Sequence, residues 1–315
     1  MKLFLRVAVY NGGGFWRECW ESIKENLDIL DGVYISVNYS ESQKQDIELI
    51  KSCPSSKVKW RKENEYLSSV AHCVNIDNWL LNFDLDGHIL ILCHDDILER
   101  KGLRKLKELE LKQDEAVWLG ASFFYEKNML GLQEKYQDIY SDEKISSEEF
   151  FRTFHKRTLN VSRILIPFSA YRMQTCPWRL LGHGYGAEVT YLCNPCVNYI
   201  QQMREIGIKI RQHADSEGAR KTEAVLFDAI FVQLHTCLMY SQEKTRILIA
   251  RHLFYFYRKY PLKSITVFFS VQKKLHRLEH YSLKKIILTL ICIPIVPFVY
   301  IFDRIGRIMK KLCRL

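Results

Sequence analysis

Four short strand-like runs dominate the first hundred residues: "LFLRVAVYN" (3–11), "GVYISVNYS" (32–40), the charged, alternating "KVKWRKE" (57–63) and "HILILCHDD" (88–96). Their length and their β-branched and aromatic content predict strands. Helix-patterned segments lie between them. "FWRECWESIKENL" (15–27) places Phe15, Cys19, Ser22, Ile23 and Asn26/Leu27 on one face, and "SQKQDIELIKS" (42–52) reads as a polar-faced helix. "SSVAHCVNIDNWLLNF" (68–83) opens on a serine suited to cap a helix, at 68 or 69. Parallel strands need long crossovers, usually helices, so this alternation predicts an α/β domain with a mainly parallel sheet. Such sheets gather ligands beyond the carboxyl ends of their strands. Asn11, Asn38 and the pair Asp95/Asp96 stand at those ends.

The pattern is less regular afterwards. "LRKLKELELKQ" predicts a charged helix, "AVWLGASFFYE" (116–126) a strand, and residues 127–160 a polar, weakly periodic loop or lid. "LNVSRILIPFSAYRM" returns to strand-like alternation. "GHGYGAEVTYLCNPCVNYIQQMREIG" (182–207) reads as a glycine-punctuated turn with a helix starting near Ala187, and "IKIRQHADSEG" (208–218) as a last strand and loop. From about Thr222 the chain is helical and aromatic in pattern. The expected organisation is a first domain over 1–218, a helical extension over 219–280 and a basic, apolar tail over 281–315.

Charge separates these regions. The net charge is +10, yet fifteen Lys and Arg against two acids fall from Arg246 onward, leaving 31 basic and 34 acidic side chains before it. A basic stripe on the folded body is therefore absent from the pattern, which disfavours a nucleic-acid partner. The uncharged run "IILTLICIPIVPFVYIF" (286–302) sits between basic clusters and is broken by Pro294 and Pro297. It is short for a bilayer span. An interfacial segment binding the membrane surface is the favoured reading, and a C-terminal core helix the alternative.

Ten cysteines are scattered without regular pairs, a usage suited to a reducing compartment. Cys193 and Cys196 form a CxxC with Cys176 and His183 upstream, an irregular arrangement for structural zinc. The adjacent carboxylates of Asp95 and Asp96 repel each other. A divalent cation shared with a diphosphate offsets that cost, since Mg2+ or Mn2+ needs only one or two protein carboxylates. Capping the turn after the strand is the competing explanation.

The order of "VAVYNGGGFWRECWESI", a second strand with a polar end, a helix bearing Asn75 and then "ILILCHDD" resembles a family 2 glycosyltransferase of the bacterial surface-polysaccharide type. The resemblance covers roughly residues 3–215. It implies a GT-A, Rossmann-like nucleotide-sugar-binding domain, here with a C-terminal helical, membrane-associating extension. It also implies a metal-dependent, inverting hexosyl- or deoxyhexosyltransferase acting on a saccharide or glycolipid acceptor at the cytoplasmic face of the cell membrane. Mg2+ or Mn2+ would be held by Asp95 or Asp96, with His213 as a further ligand or diphosphate contact. Asn11, Asn38, Asn75, Asp95 and Arg211 would meet the nucleotide-sugar donor, with Arg220 and Lys221 near the diphosphate. Glu188 of "GYGAE" would be the base. Two departures stand out: Cys93 occupies the place where the family often has its first aspartate, and Asn38 replaces a common acidic residue. They leave open a non-catalytic, membrane-tethered nucleotide-sugar-binding or scaffold protein of the same fold. The oligomeric state is open.

Overall fold

The computed structural model describes residues 1–126, 132–138, 140–153, 160–173, 191–192, 194 and 196–212. The chain divides into two units, Met1–Arg220 and Lys221–Leu315, and every described residue lies in the first. The expected helical extension, the membrane-associating tail, and Glu188, His213, Cys176, His183 and Cys193 all lie outside the described residues.

The first half alternates strand and helix: β1 (Leu3–Val9), α1 (Gly13–Glu25), β2 (Gly32–Val37), α2 (Gln43–Lys51), β3 (Val58–Lys62), α3 (Ser69–Leu80) and β4 (His88–Cys93). The first, second and fourth strands are almost wholly buried, as expected where both faces of a parallel sheet are covered. They pair in parallel, Val9 beside Val37 and Ala8 beside Cys93, so their carboxyl ends lie along one edge. The cap of α3 is Ser68, whose side chain accepts from the Ala71 amide.

Helix α1 keeps most of the expected face, Cys19, Ser22, Ile23 and Asn26, and widens it toward Trp16 and Trp20 at the expense of Phe15. Trp16, Cys19, Trp20, Ser22 and Ile23 are its buried residues, and Phe15 is left half-buried above the carboxyl edge. Gly12 permits this. A Cβ there would lie 2.4 Å from the Trp16 Cβ. Asn11 and Gly13 turn the chain at φ 47° and 50°, a region Asn and Gly tolerate best.

The second half builds a mixed continuation of the same sheet. It contains β5 (Ile97–Leu98), α4 (Arg100–Glu108), β6 (Glu115–Glu126), β7 (Leu132–Asp138), β8 (Lys144–Ser146), α5 (Ser147–Thr153), β9 (Ile164–Pro167), α6 (Phe168–Met173) and β10 (Tyr199–Gln212). The order is β3-β2-β1-β4-β9-β6-β10-β5, with β7 on β6 and β8 on β10. Three expectations are corrected here. Much of 127–160 forms β7, β8 and α5 instead of a loop, because antiparallel pairing with β6 and β10 supplies the partners that local periodicity does not reveal. "LNVSRILIPFSAYRM" breaks into a 3-10 turn (Val161–Arg163), a four-residue strand and a short helix. The last strand begins at Tyr199, well before Ile208.

One buried charge on β1 needs an account. Arg6 is 2% exposed and pairs with Asp77 of α3 at 2.9 Å. Tyr171 and Tyr191 donate their hydroxyls to the same carboxylate, and their rings stack 5.9 Å apart. Both partners and the remaining lone pairs are thereby satisfied, the condition under which a buried pair is tolerated.

Candidate functional site

The acidic loop lies between β4 and β5, and two distant segments hold it. Asp96 is 1% exposed. Its Oδ2 accepts from the Ser162 hydroxyl at 2.6 Å and its Oδ1 from the Arg211 amide at 3.0 Å. The Ser162 hydroxyl also accepts from the Cys93 amide at 2.9 Å, so it secures the strand end and the carboxylate together. Burial, and then the neighbouring Asp95, push the Asp96 carboxyl well above the usual carboxylate range, against the pull of Ser162 and Arg211.

Arg211 reaches this loop because β5 pairs with β10 at Ile208 and Lys209, two residues short of it. Its guanidinium lies between the rings of Phe15 and Phe124, 4.5 and 4.8 Å from their centroids. Nε donates to the Asp95 carbonyl at 3.1 Å, and a terminal nitrogen bonds Glu18 of α1. The side chain is 0% exposed. Arg211, expected at the donor, has its buried guanidinium fixing the acidic loop to α1.

Asp95, Cys93 and His94 are partly exposed. Cys93, Asp95 and Asp96 form the metal-capable group among the described residues, each offering one ligand atom, all within 4.8 Å of one another. Ligands of one ion with bonds of about 2.0–2.3 Å lie at most about 4.5 Å apart, so small side-chain rotations close the set. The donors fit a divalent cation. Burial and the charges of Asp96 and Asp95 raise the Cys93 thiol's affinity for its proton well above normal.

The carboxyl ends of β1 to β3 carry polar groups that mostly brace each other. Asn38 is fully buried. Its amide donates to the Leu67 carbonyl at 2.7 Å and accepts from the Tyr39 and Leu67 amides. These bonds tie the end of β2, where a donor contact is expected, to the loop leading to α3. Asn75 donates to Glu63 Oε2 at 2.9 Å. Glu63 also accepts from Ser36 and Arg61, and His72 bonds Ser36 at 3.0 Å. Burial, with Arg6 and Arg61 nearby, lowers the His72 pKa to about 3, which keeps it neutral.

Asp46 was not legible as a site residue. Its carboxylate accepts from the Gly12 and Gly13 amides, both at 3.2 Å, and from the Ser42 hydroxyl at 2.6 Å. The glycine loop after β1 thus has those two donors satisfied internally. Asn11 is exposed beside it. Three exposed tyrosines were also missed. Tyr10, Tyr39 and Tyr66 follow β1, β2 and β3, and the rings of Tyr10 and Tyr66 meet at 5.6 Å. Their positions just past strand ends are the signal that could have found them.

No protein-family model and no curated protein matches the chain. Among solved structures, S. aureus TarS 1-349 in complex with UDP-GlcNAc matches with a TM-score of 0.53 and 12% identity, over 80% of this chain and 72% of that one. Mannosyltransferase PcManGT from Pyrobaculum calidifontis, in complex with GDP-Man and Mn2+, matches with a TM-score of 0.52 and 10% identity, over 95% and 85%. The fold is that of a GT-A-like glycosyltransferase. Against the longer S. aureus TarS structure, the match covers 80% of this chain and 43% of that one. The chain thus spans less than half of that protein's length.

Proposed function

We propose that the protein transfers a sugar from a nucleotide-sugar donor to a saccharide or glycolipid acceptor. The observation that carries this is the gathering of Asp95, Cys93 and Asp96 at the carboxyl edge of a GT-A-like sheet, alongside the exposed Tyr10 and Tyr66. The solved neighbours with this fold are complexes with UDP-GlcNAc and with GDP-Man and Mn2+, ligands of the class proposed here.

In this reading the donor's base lies against the tyrosine pair and its diphosphate lies toward Asp95. A bound Mg2+ or Mn2+ supplies Lewis-acid stabilisation of the departing diphosphate. Glu188 accepts the proton of the acceptor hydroxyl, whose oxygen attacks the anomeric carbon from the face opposite the leaving group, inverting it. Asn11 contacts the donor from the end of β1, and His213 adds a ligand or phosphate contact. The basic tail holds the protein at the cytoplasmic membrane face, near a lipid-linked acceptor in surface-polysaccharide assembly.

Calorimetry with UDP-GlcNAc and GDP-Man, with and without Mn2+, tests the proposal. Metal-dependent binding of a nucleotide sugar is expected, weakened at least about tenfold by Asp95→Asn, with donor turnover about a hundredfold lower in Glu188→Gln. Absence of nucleotide-sugar binding under all conditions overturns it in favour of a scaffold.

A further inference from the structure

The three ligand atoms at the acidic loop are not alike. Asp96 lies innermost, and both its oxygens already accept hydrogen bonds from Ser162 and Arg211. Cys93 and Asp95 are partly exposed as residues, and the Cys93 thiol itself lies buried beside the two carboxylates. An ion held among the three therefore meets one sulfur as well as carboxylate oxygen. Mg2+ prefers an oxygen-only octahedral shell and gains little from sulfur. Thiolate favours softer divalent ions, and affinity for mixed sites rises through the series from Mn2+ to Co2+.

We infer that Cys93 is a metal ligand of this site and that its sulfur shifts the preference away from Mg2+ toward thiophilic divalent ions such as Co2+ and Zn2+. The inference rests on the metal-dependent reading given above. On binding, a sulfur–metal bond forms and the thiol proton passes to solvent, driven by the charge of the ion beside it. The same placement gives the Asp-to-Cys departure a chemical consequence: one hard oxygen ligand is exchanged for one soft sulfur at an otherwise acidic loop.

The test is a titration of the purified full-length chain with Co2+, read by sulfur-to-cobalt charge-transfer absorption and by calorimetry on the same sample. The wild type is expected to bind Co2+ with a charge-transfer band that Cys93→Ser abolishes and Cys53→Ser leaves intact. Cys93→Asp, which restores an oxygen ligand, is expected to bind Mg2+ at least about tenfold more tightly than the wild type. Should Cys93→Ser lose its native circular dichroism, Asp95→Asn serves as the second variant, and a band weakened with the Co2+ heat supports the site. Heat without a band, or a band that survives Cys93→Ser as one carried by Cys193 and Cys196 would, overturns the thiol ligand while leaving the metal reading standing. No heat with Co2+, Mn2+ or Mg2+ overturns both.

Discussion

Asp95 and Asp96 are adjacent in sequence and opposite in circumstance. One is reached by solvent, and the other is buried with each oxygen held by a segment far along the chain. Repulsion between neighbouring carboxylates is thus eased by placing them differently, with Asp96 fastening the loop from inside and Asp95 on its partly exposed side. His72 shows the same dependence on surroundings. Its pKa is depressed from 6.5 to about 3, so between those values the unfolded imidazole takes up a proton that the folded one refuses. Stability from this group is complete above pH 6.5 and falls as pH drops toward 3, by up to about 1.4 kcal/mol per unit. Urea unfolding at pH 7 and pH 5 is expected to show this loss as the difference between the wild type and His72→Gln, since Asp96, whose raised carboxyl pKa acts in the opposite direction, is common to both. Some slope should remain from His88, whose pKa burial also lowers.

At the scale of elements, the carboxyl edge is assembled by contacts between segments remote in sequence. Asp46 of α2 supports the glycine loop before α1, Asn38 ties β2 to the loop before α3, and Arg211 of β10 ties the acidic loop to α1. Helix α4 packs against β10 where the strand pairing shifts register between Gln202 and Ile208. Gly102 makes that approach feasible. A Cβ there would lie 2.3 Å from the Ile206 carbonyl oxygen. Backbone cannot swing aside as a side chain can, so Gly102→Ala is expected to cost about 3 kcal/mol in denaturant unfolding. Because β10 also carries Arg211, the variant should weaken metal binding at the acidic loop.

For the whole molecule, the charge asymmetry argues for a division of labour between a near-neutral body and a basic tail. Replacing Arg307, Lys310 and Lys311 with Gln is expected to weaken binding of the full chain to anionic vesicles by about 3 kcal/mol, roughly a hundredfold, with the loss shrinking at high salt. Sedimentation with vesicles of mixed neutral and anionic lipid measures it, and equal binding by both proteins would remove the membrane role from these charges. Among the described residues no helix is long and apolar enough to cross a membrane.

The alternation of strands and helices through residue 93 was legible because both periodicities are local, and burial on both faces makes β1, β2 and β4 read as near-continuous apolar runs. The glycine turn, the Ser68 cap and the position of the acidic pair at a strand end follow from the same short-range rules. Tertiary structure alone decided that α1 buries Trp16 and Trp20 and turns Phe15 toward Arg211, and that 132–138 is a strand. It alone decided that Asn38 and Arg211 serve as braces and that Asp96, not Asp95, is the buried carboxylate. Apart from the 132–138 strand, which pairs with β6 only 6 to 17 residues away, each of those outcomes depends on a partner roughly thirty to more than a hundred residues away, and a hydrogen bond or ring contact closed across such a distance leaves no periodicity in the chain that makes it.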